Sequence, residues 1–379
     1  MVLYVAVSGE DKIKCYPSDN PSGECLEAEC PGPFQLCVSP DGRFLFAVSM
    51  GPQNEHVSFS IDPSTGGLTQ ISSVVGPVPG GDGCYISTDA TGSLLMTAYY
   101  GGSCVSVLPI SPQGVIGDSP LQILSTTKGC HSIQADPSNR FAYAACVAAG
   151  EAPEGNAIFT FSLDPSNTAE PLAQMGEPLE PQDLVNTIGS DGTNQYGNRG
   201  EPGPRHLCFH PTLPLLYTVD EQGNTVTSYT IGEDGELGAR ALQSVATLPG
   251  ASTPWSPNAH GADSATSELA ITPDGRYLYA GNRHQQAVAG VRQSLGCFLV
   301  DEKGMLTPVK SAELDHAAQS LCISGNDTVY AVGGDDDGEG VLSVFHIESE
   351  TAQLAPQGIF HPGAGLMCVL SHVLVSPKL

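Results

Sequence analysis

The chain has 379 residues, 41 of them acidic and 14 basic, for a formal net charge of −27, with 15% charged and 40% hydrophobic residues. That balance excludes a disordered polyanion, and it argues against nucleic acid and anionic membrane surfaces as partners, because phosphate binding needs clustered Lys and Arg. Forty-four Gly and 30 Pro, spread along the chain, predict many turns between short strands rather than long helices.

The opening run Met1 to Val7 has no basic leader and no long apolar core, and no stretch approaches 18 consecutive apolar residues. The expectation is a protein without a signal peptide or transmembrane helix. The next strand-rich segment turns at Ser39-Pro40-Asp41-Gly42, and Pro-Asp-Gly between alternating strands reads as a hairpin. Equivalent turns follow at Asp89-Ala90-Thr91-Gly92, Asp136-Pro137-Ser138-Asn139, His210-Pro211-Thr212-Leu213, Thr272-Pro273-Asp274-Gly275 and Ser324-Gly325-Asn326-Asp327. Their first residues are 50, 47, 74, 62 and 52 apart. A period near 50 residues with four short strands predicts an all-β β-propeller.

The ends of the chain supply one more repeat. Leu366–Leu370 reads as a first strand without its second, and Leu3–Ser8 as a second strand without its first. Pairing them in one blade would remove exposed sheet edges, which predicts a seven-bladed β-propeller closed by pairing of the N- and C-terminal strands. The whole chain, 1–379, is read as a single domain. The two longest intervals place polar insertions at 176–204 and at 250–266, the latter with Trp255 and His260. Both precede first strands and are expected to overhang one end of the channel as lids.

Twelve cysteines occur without a CxxC or a Cys/His zinc spacing. Cys37, Cys208 and Cys322 share one repeat position, which favours strand packing over reactivity. A chain this large needs no disulfides for a core, so a reducing cytoplasm is expected.

Repeat register picks out a site. Five residues before the turns stand Phe34, Cys84, His131, Arg205, Ser267 and Gln319; eleven after stand Met50, Tyr100, Val147, Glu221, Arg283 and Asp335. Both sets belong to the same end of the blades. Of eight arginines, Arg43, Arg140 and Arg276 lie beside hairpin turns. Arg205 and Arg283 at the other end give a local positive spot suited to an anionic group. His131 and Glu221 add acid–base capacity.

Gly129-Cys130-His131-Ser132, Gly203-Pro204-Arg205-His206 with Phe209-His210-Pro211, Val219-Asp220-Glu221, and Thr272–Arg276 running on to Gly281-Asn282-Arg283 resemble the seven-bladed lactonase family. That family includes bacterial-type 6-phosphogluconolactonases and fungal carboxymuconate lactonising enzymes. The resemblance spans nearly the whole chain and implies His131, Arg205, Glu221 and Arg283 as catalytic residues, the four that register selects. His206, Gln319, Tyr100 and Asn282 are read as substrate-binding. The stretch Ala317-Ala318-Gln319-Ser320 departs from the hydrolase branch, which tends to carry another arginine there. A carboxylate or neutral sugar-lactone pocket therefore stays open beside a phosphate pocket.

The expected activity is metal-independent, cofactor-free hydrolysis of a sugar or sugar-acid lactone. A carboxymuconate-type lactonising cycloisomerase and a non-enzymatic binding scaffold are the alternatives. An oxidoreductase finds no dinucleotide fingerprint or CxxCH motif. The acidic run Asp335-Asp336-Asp337, with Asp82, reads as solvated loop rather than as a cation site. The expected quaternary state is a monomer or weak homo-oligomer.

Overall fold

Positive φ at Gly42 (72°), Gly92 (70°), Asn139 (56°) and Gly275 (74°) closes four of the expected turns. In each, the amide of that residue donates to the carbonyl three residues earlier, at 2.8–3.0 Å. Side chains finish the work: Asp89 Oδ1 accepts from Ser93 N and Leu94 N, both at 2.9 Å. At the fourth repeat His210 Nδ1 takes the same role, accepting from Thr212 N and Leu213 N at 3.2 and 3.0 Å.

A computed structural model of the chain describes residues 1–21, 23–50, 53–147, 155–181, 187–188, 203–248, 264–284, 293–335 and 337–375. These residues form two compact units where the sequence reads as one domain. One holds Met1–Ala144, Phe159–Gly176 and Pro362–Leu379; the other holds Ala145–Ile158 and Glu177–His361.

In the first unit, one sheet runs Leu26–Glu29, Lys12–Pro17, Val2–Val7, Leu366–His372 in spatial order. The second is the meander Pro33–Val38, Phe44–Ser49, His56–Ile61, Leu68–Val74, and the third is Gly83–Thr88, Leu94–Tyr99, Cys104–Pro109, Gln122–Ser125. The fourth, mainly in this unit, is Cys130–Ala135, Phe141–Cys146, Ala157–Leu163, Leu172–Gln174. The expected closure is present: Val2–Val7 lies antiparallel between Lys12–Pro17 and Leu366–His372, with Tyr4 opposite Leu370. The Lys14 ammonium reinforces it by donating to Pro362 O at 2.6 Å and pairing with Glu10 at 2.7 Å.

The second unit carries three sheets. The first is Pro204–Phe209, Leu215–Asp220, Thr225–Thr230, Gln243–Ala246. Next come Ser264–Ile271, Tyr277–His284, Ser294–Val300, Leu306–Pro308 with Ala312–Glu313, and then Ser320–Ser324, Thr328–Gly334, Gly340–Ile347, Leu354–Phe360. The insertions at 176–204 and 250–266 lie largely outside the described residues, Trp255 and His260 included. Within the first of them, Thr187–Ile188 adds a parallel edge strand against Ser244 and Val245.

Adjacent sheets bury their faces against each other, and the second strands carry the core. Leu3 to Val7, Leu45 to Val48 and Leu278 to Ala280 are all fully buried. In three second strands a tyrosine ties its sheet to the next: Tyr4 Oη donates to Gly66 O (2.8 Å), Tyr217 Oη to Gly304 O (2.7 Å) and Tyr279 Oη to Ala352 O (3.1 Å). A buried phenol needs such an acceptor. Cys37, Cys208 and Cys322 sit half-buried in the first strands of their sheets, and desolvation pushes the Cys37 and Cys208 thiols well above the usual range.

Candidate functional site

The site is built where first strands begin and second strands end. Gly203 adopts φ 70°, and its carbonyl accepts the Glu221 amide at 2.8 Å. The same clamp recurs at Asp82 (φ 52°), which accepts from Tyr100 N at 3.0 Å, and at Gly32 (φ 47°), which accepts from Met50 N at 3.3 Å. Directly after the clamp the pairing slips: Pro204 faces Asp220 and His206 faces Val219, so Arg205 is a bulged residue. Phe34 and Cys84 are bulged identically. In the next sheet the slip spans Ser267 and Glu268. A bulge re-aims side chains that regular alternation would send to opposite faces.

Three charged side chains converge in the second unit. Glu221 Oε2 lies 3.0 Å from Arg205 Nε, and Glu221 Oε1 accepts from Arg283 Nη2 at 3.1 Å. Arg283 Nη1 donates to Gln319 Oε1 at 2.8 Å. Arg205 is almost wholly enclosed, its side chain 3% exposed, and Nη1 also donates to the Ser267 carbonyl. Glu221 and Arg283 are more open, at 23% and 14%. The neighbour of Glu221 in sequence faces the other way: Asp220 is fully buried and accepts from Thr218 Oγ1 at 3.1 Å, Thr225 Oγ1 at 2.8 Å and Thr227 Oγ1. Burial raises the Asp220 carboxyl to about 6.

Behind Arg205 stands a second pair. Arg205 Nη1 is 3.2 Å from His206 Nε2, and His206 Nδ1 is 2.8 Å from Glu268 Oε1. Guanidinium can only donate, so Nε2 accepts and the proton sits on Nδ1, pointing at Glu268. Desolvation, then the charges of Arg205 and Arg283, hold the imidazole well below its usual value. Desolvation pushes the Glu268 carboxyl up to about 8, against the opposing pull of Arg205. Among the described residues, two guanidiniums thus lie against the carboxylate of Glu221.

Arg205, Glu221, Arg283, Gln319 and His206 are thus brought together. His131 belongs to the other unit, where it is buried, its ring 5.5 Å from that of Tyr100 in an edge-on arrangement. Asn282 requires a correction. It is fully buried, accepting from Thr247 Oγ1 at 2.7 Å and donating to Thr247 O at 3.2 Å and Ser294 Oγ at 3.1 Å. Its amide is committed to the sheet, so it is framework rather than a substrate contact. His206, likewise enclosed, backs Arg205 instead of lining the opening. Sequence register missed Glu268; the available signal was its position one residue after Ser267, matching His206 one residue after Arg205.

Asp335 Oδ1 accepts from Asp337 N (3.0 Å) and Glu339 N (2.8 Å), so this acidic run builds a turn; Asp336 lies outside the described residues. Among the described residues no three His, Cys, Asp or Glu side chains group as metal ligands, and no helix is long and apolar enough to cross a membrane.

Seven sheets, antiparallel but for the one edge strand, and strand closure between the chain ends define a seven-bladed β-propeller. The family model "Lactonase, 7-bladed beta-propeller" matches residues 22–371, and the chain belongs to that family. Among its relatives is the 6-phosphogluconolactonase of Erwinia tasmaniensis, 27% identical over 98% of this chain and 99% of that one. The Pectobacterium carotovorum 6-phosphogluconolactonase is 28% identical over 97% of each. The solved structure of the Pseudomonas aeruginosa periplasmic gluconolactonase shares the fold, with a TM-score of 0.75 at 20% identity over 99% of both chains.

Proposed function

We propose that this protein hydrolyses a sugar lactone carrying an anionic group, of the 6-phosphogluconolactone type. The observation that carries the reading is the pairing at the site: among the described residues two guanidiniums, Arg205 and Arg283, share the carboxylate of Glu221 in a protein of net charge −27. A substrate phosphate or carboxylate is drawn to that arginine pair, of which Arg283 is the more open member. The names of the curated relatives support the same substrate class.

In hydrolysis, water adds to the lactone carbonyl and the ring C–O bond breaks, giving an acid and an alcohol. Each Glu221 oxygen has one described arginine contact and keeps lone-pair capacity to accept the proton of the attacking water. An arginine N–H stabilises the oxyanion that forms. The proton that Glu221 takes up passes on to the departing ring oxygen, so the step balances. The proposed compartment is the cytoplasm, since eight of the twelve cysteines are buried in a core that has no need of disulfides.

Acid release from 6-phosphoglucono-lactone, glucono-lactone and a carboxymuconate, measured with purified protein, tests the assignment. Catalysed hydrolysis of the phosphorylated lactone at a rate above that of the neutral one is expected. Isomerisation of the muconate without lactone hydrolysis would replace this reading with a lactonising cycloisomerase, and inactivity on all three would leave a binding scaffold.

A further inference from the structure

We propose that Glu268 is a positioning residue for the anion-binding Arg205, acting through the imidazole of His206. The inference deepens the lactonase reading and rests on it for the identity of the anion, though the geometry it invokes is independent of substrate.

A planar guanidinium enclosed to 3% exposure binds an anion productively only if its plane is fixed. Glu221 lies at Nε, and Nη1 donates both to the Ser267 carbonyl and, at 3.2 Å, to His206 Nε2. An imidazole can present an acceptor there only in the Nδ1–H tautomer, and only with its ring held in that orientation. Glu268 Oε1, 2.8 Å from Nδ1, fixes both. The carboxyl is itself held, since Leu269 N donates to the same Oε1 at 3.2 Å. This arrangement falls at the bulge where Ser267 and Glu268 together oppose Gly281, which re-aims consecutive side chains. An apolar residue would fill a buried site at lower desolvation cost. Either a carboxylate or a carboxylic acid provides the acceptor, so the role needs an oxygen at that point rather than a charge.

The test uses the full chain with Glu268→Gln, Glu268→Leu and the double variant His206→Leu/Glu268→Leu, which removes both polar groups together and avoids stranding a buried imidazole. Glu268→Gln keeps the acceptor and should stay within about threefold of the wild-type KM for 6-phosphoglucono-lactone. Glu268→Leu and the double variant should raise that KM about tenfold or more, with kcat changed less. Wild-type KM in the folded double variant would overturn the proposal, as would an equal loss in Glu268→Gln. The Arg205 Nε–H resonance in 15N NMR, with and without inorganic phosphate, is read in parallel. It should shift and lose exchange protection in Glu268→Leu; an unchanged resonance would overturn the proposal even if the wild type hydrolyses no lactone. An inactive wild type with a displaced Arg205 resonance would instead sink the lactonase reading and uphold the positioning role.

Discussion

Arg276 and Arg283 stand seven residues apart at the two ends of one strand segment, and they do different things. Arg276 is exposed, beside the Thr272–Gly275 turn, with its guanidinium 5.2 Å from the centre of the Tyr277 ring. Arg43 and Arg140 repeat that arrangement over Phe44 and Phe141, each at 4.8 Å. Arg283 is largely enclosed and shared between Glu221 and Gln319. The turn end spends its arginines on covering ring faces, in water, at little cost and little gain. The bulged end instead encloses two guanidiniums around the carboxylate of Glu221. Positive charge alone does not mark the site; enclosure beside a shared carboxylate does.

The sharpest break between the two ends should come at Glu221. Glu221→Gln keeps the shape of the side chain and should lower kcat on the phosphorylated lactone by roughly 10²–10⁴, the range for general acid–base groups; steady-state kinetics at saturating substrate checks it. Arg283→Ala should come next. Its expected result is a KM about 10- to 100-fold higher for the anionic substrate, the loss of a charge-assisted contact, while Arg276→Ala should change KM less than about twofold.

Gly203→Ala tests the backbone of the bulged end. A φ of 70° disfavours any side chain by roughly 1–2 kcal/mol, and a Cβ there would meet the Gln222 side chain at 3.0 Å. A lower Tm is expected by calorimetry, together with weaker activity because the Glu221 amide is anchored on the Gly203 carbonyl. Arg276→Ala, by contrast, should cost only about 0.5–1 kcal/mol of stability and leave activity intact.

The last effect concerns pH. Burial raises the Glu268 carboxyl to about 8, so between its unfolded value and 8 the folded state holds a proton that the unfolded chain has released. Stability from this group is full at low pH and falls as pH rises toward 8. The Tm of Glu268→Gln minus that of wild type should therefore increase from about pH 5 to 8 and level off above. A flat difference would show that Glu268 does not titrate across this window.

Much of this was legible in the sequence. The Pro-Asp-Gly turns and their spacing gave the repeat, and the half-repeats at the ends gave the closure that Val2–Val7 makes with Leu366–His372. Register alone selected His131, Arg205, Glu221 and Arg283, and the last three meet in the second unit, because strand length from turn to clamp is nearly constant. What it could not carry across was phase. A strand alternates with period two, so adjacent residues face apart; Asn282 beside Arg283 obeys this and turns into the sheet, against the expectation that both would meet substrate. Arg205 and His206 break it, as Ser267 and Glu268 do, because bulges fall there. Bulges leave little trace in composition, and Glu268 was missed for that reason. Gln319, where a further arginine was the family expectation, accepts from Arg283 and so holds a cation instead of adding one.

The central claim is that the enclosed arginine pair at the bulged end selects an anionic lactone. Its most direct test is the ratio of kcat/KM for 6-phosphoglucono-lactone to that for glucono-lactone, compared between wild type and Arg283→Ala. A ratio well above one in the wild type that collapses toward one in the variant, through loss on the phosphorylated substrate alone, is the result expected. An unchanged ratio, or equal loss on both lactones, would contradict the claim.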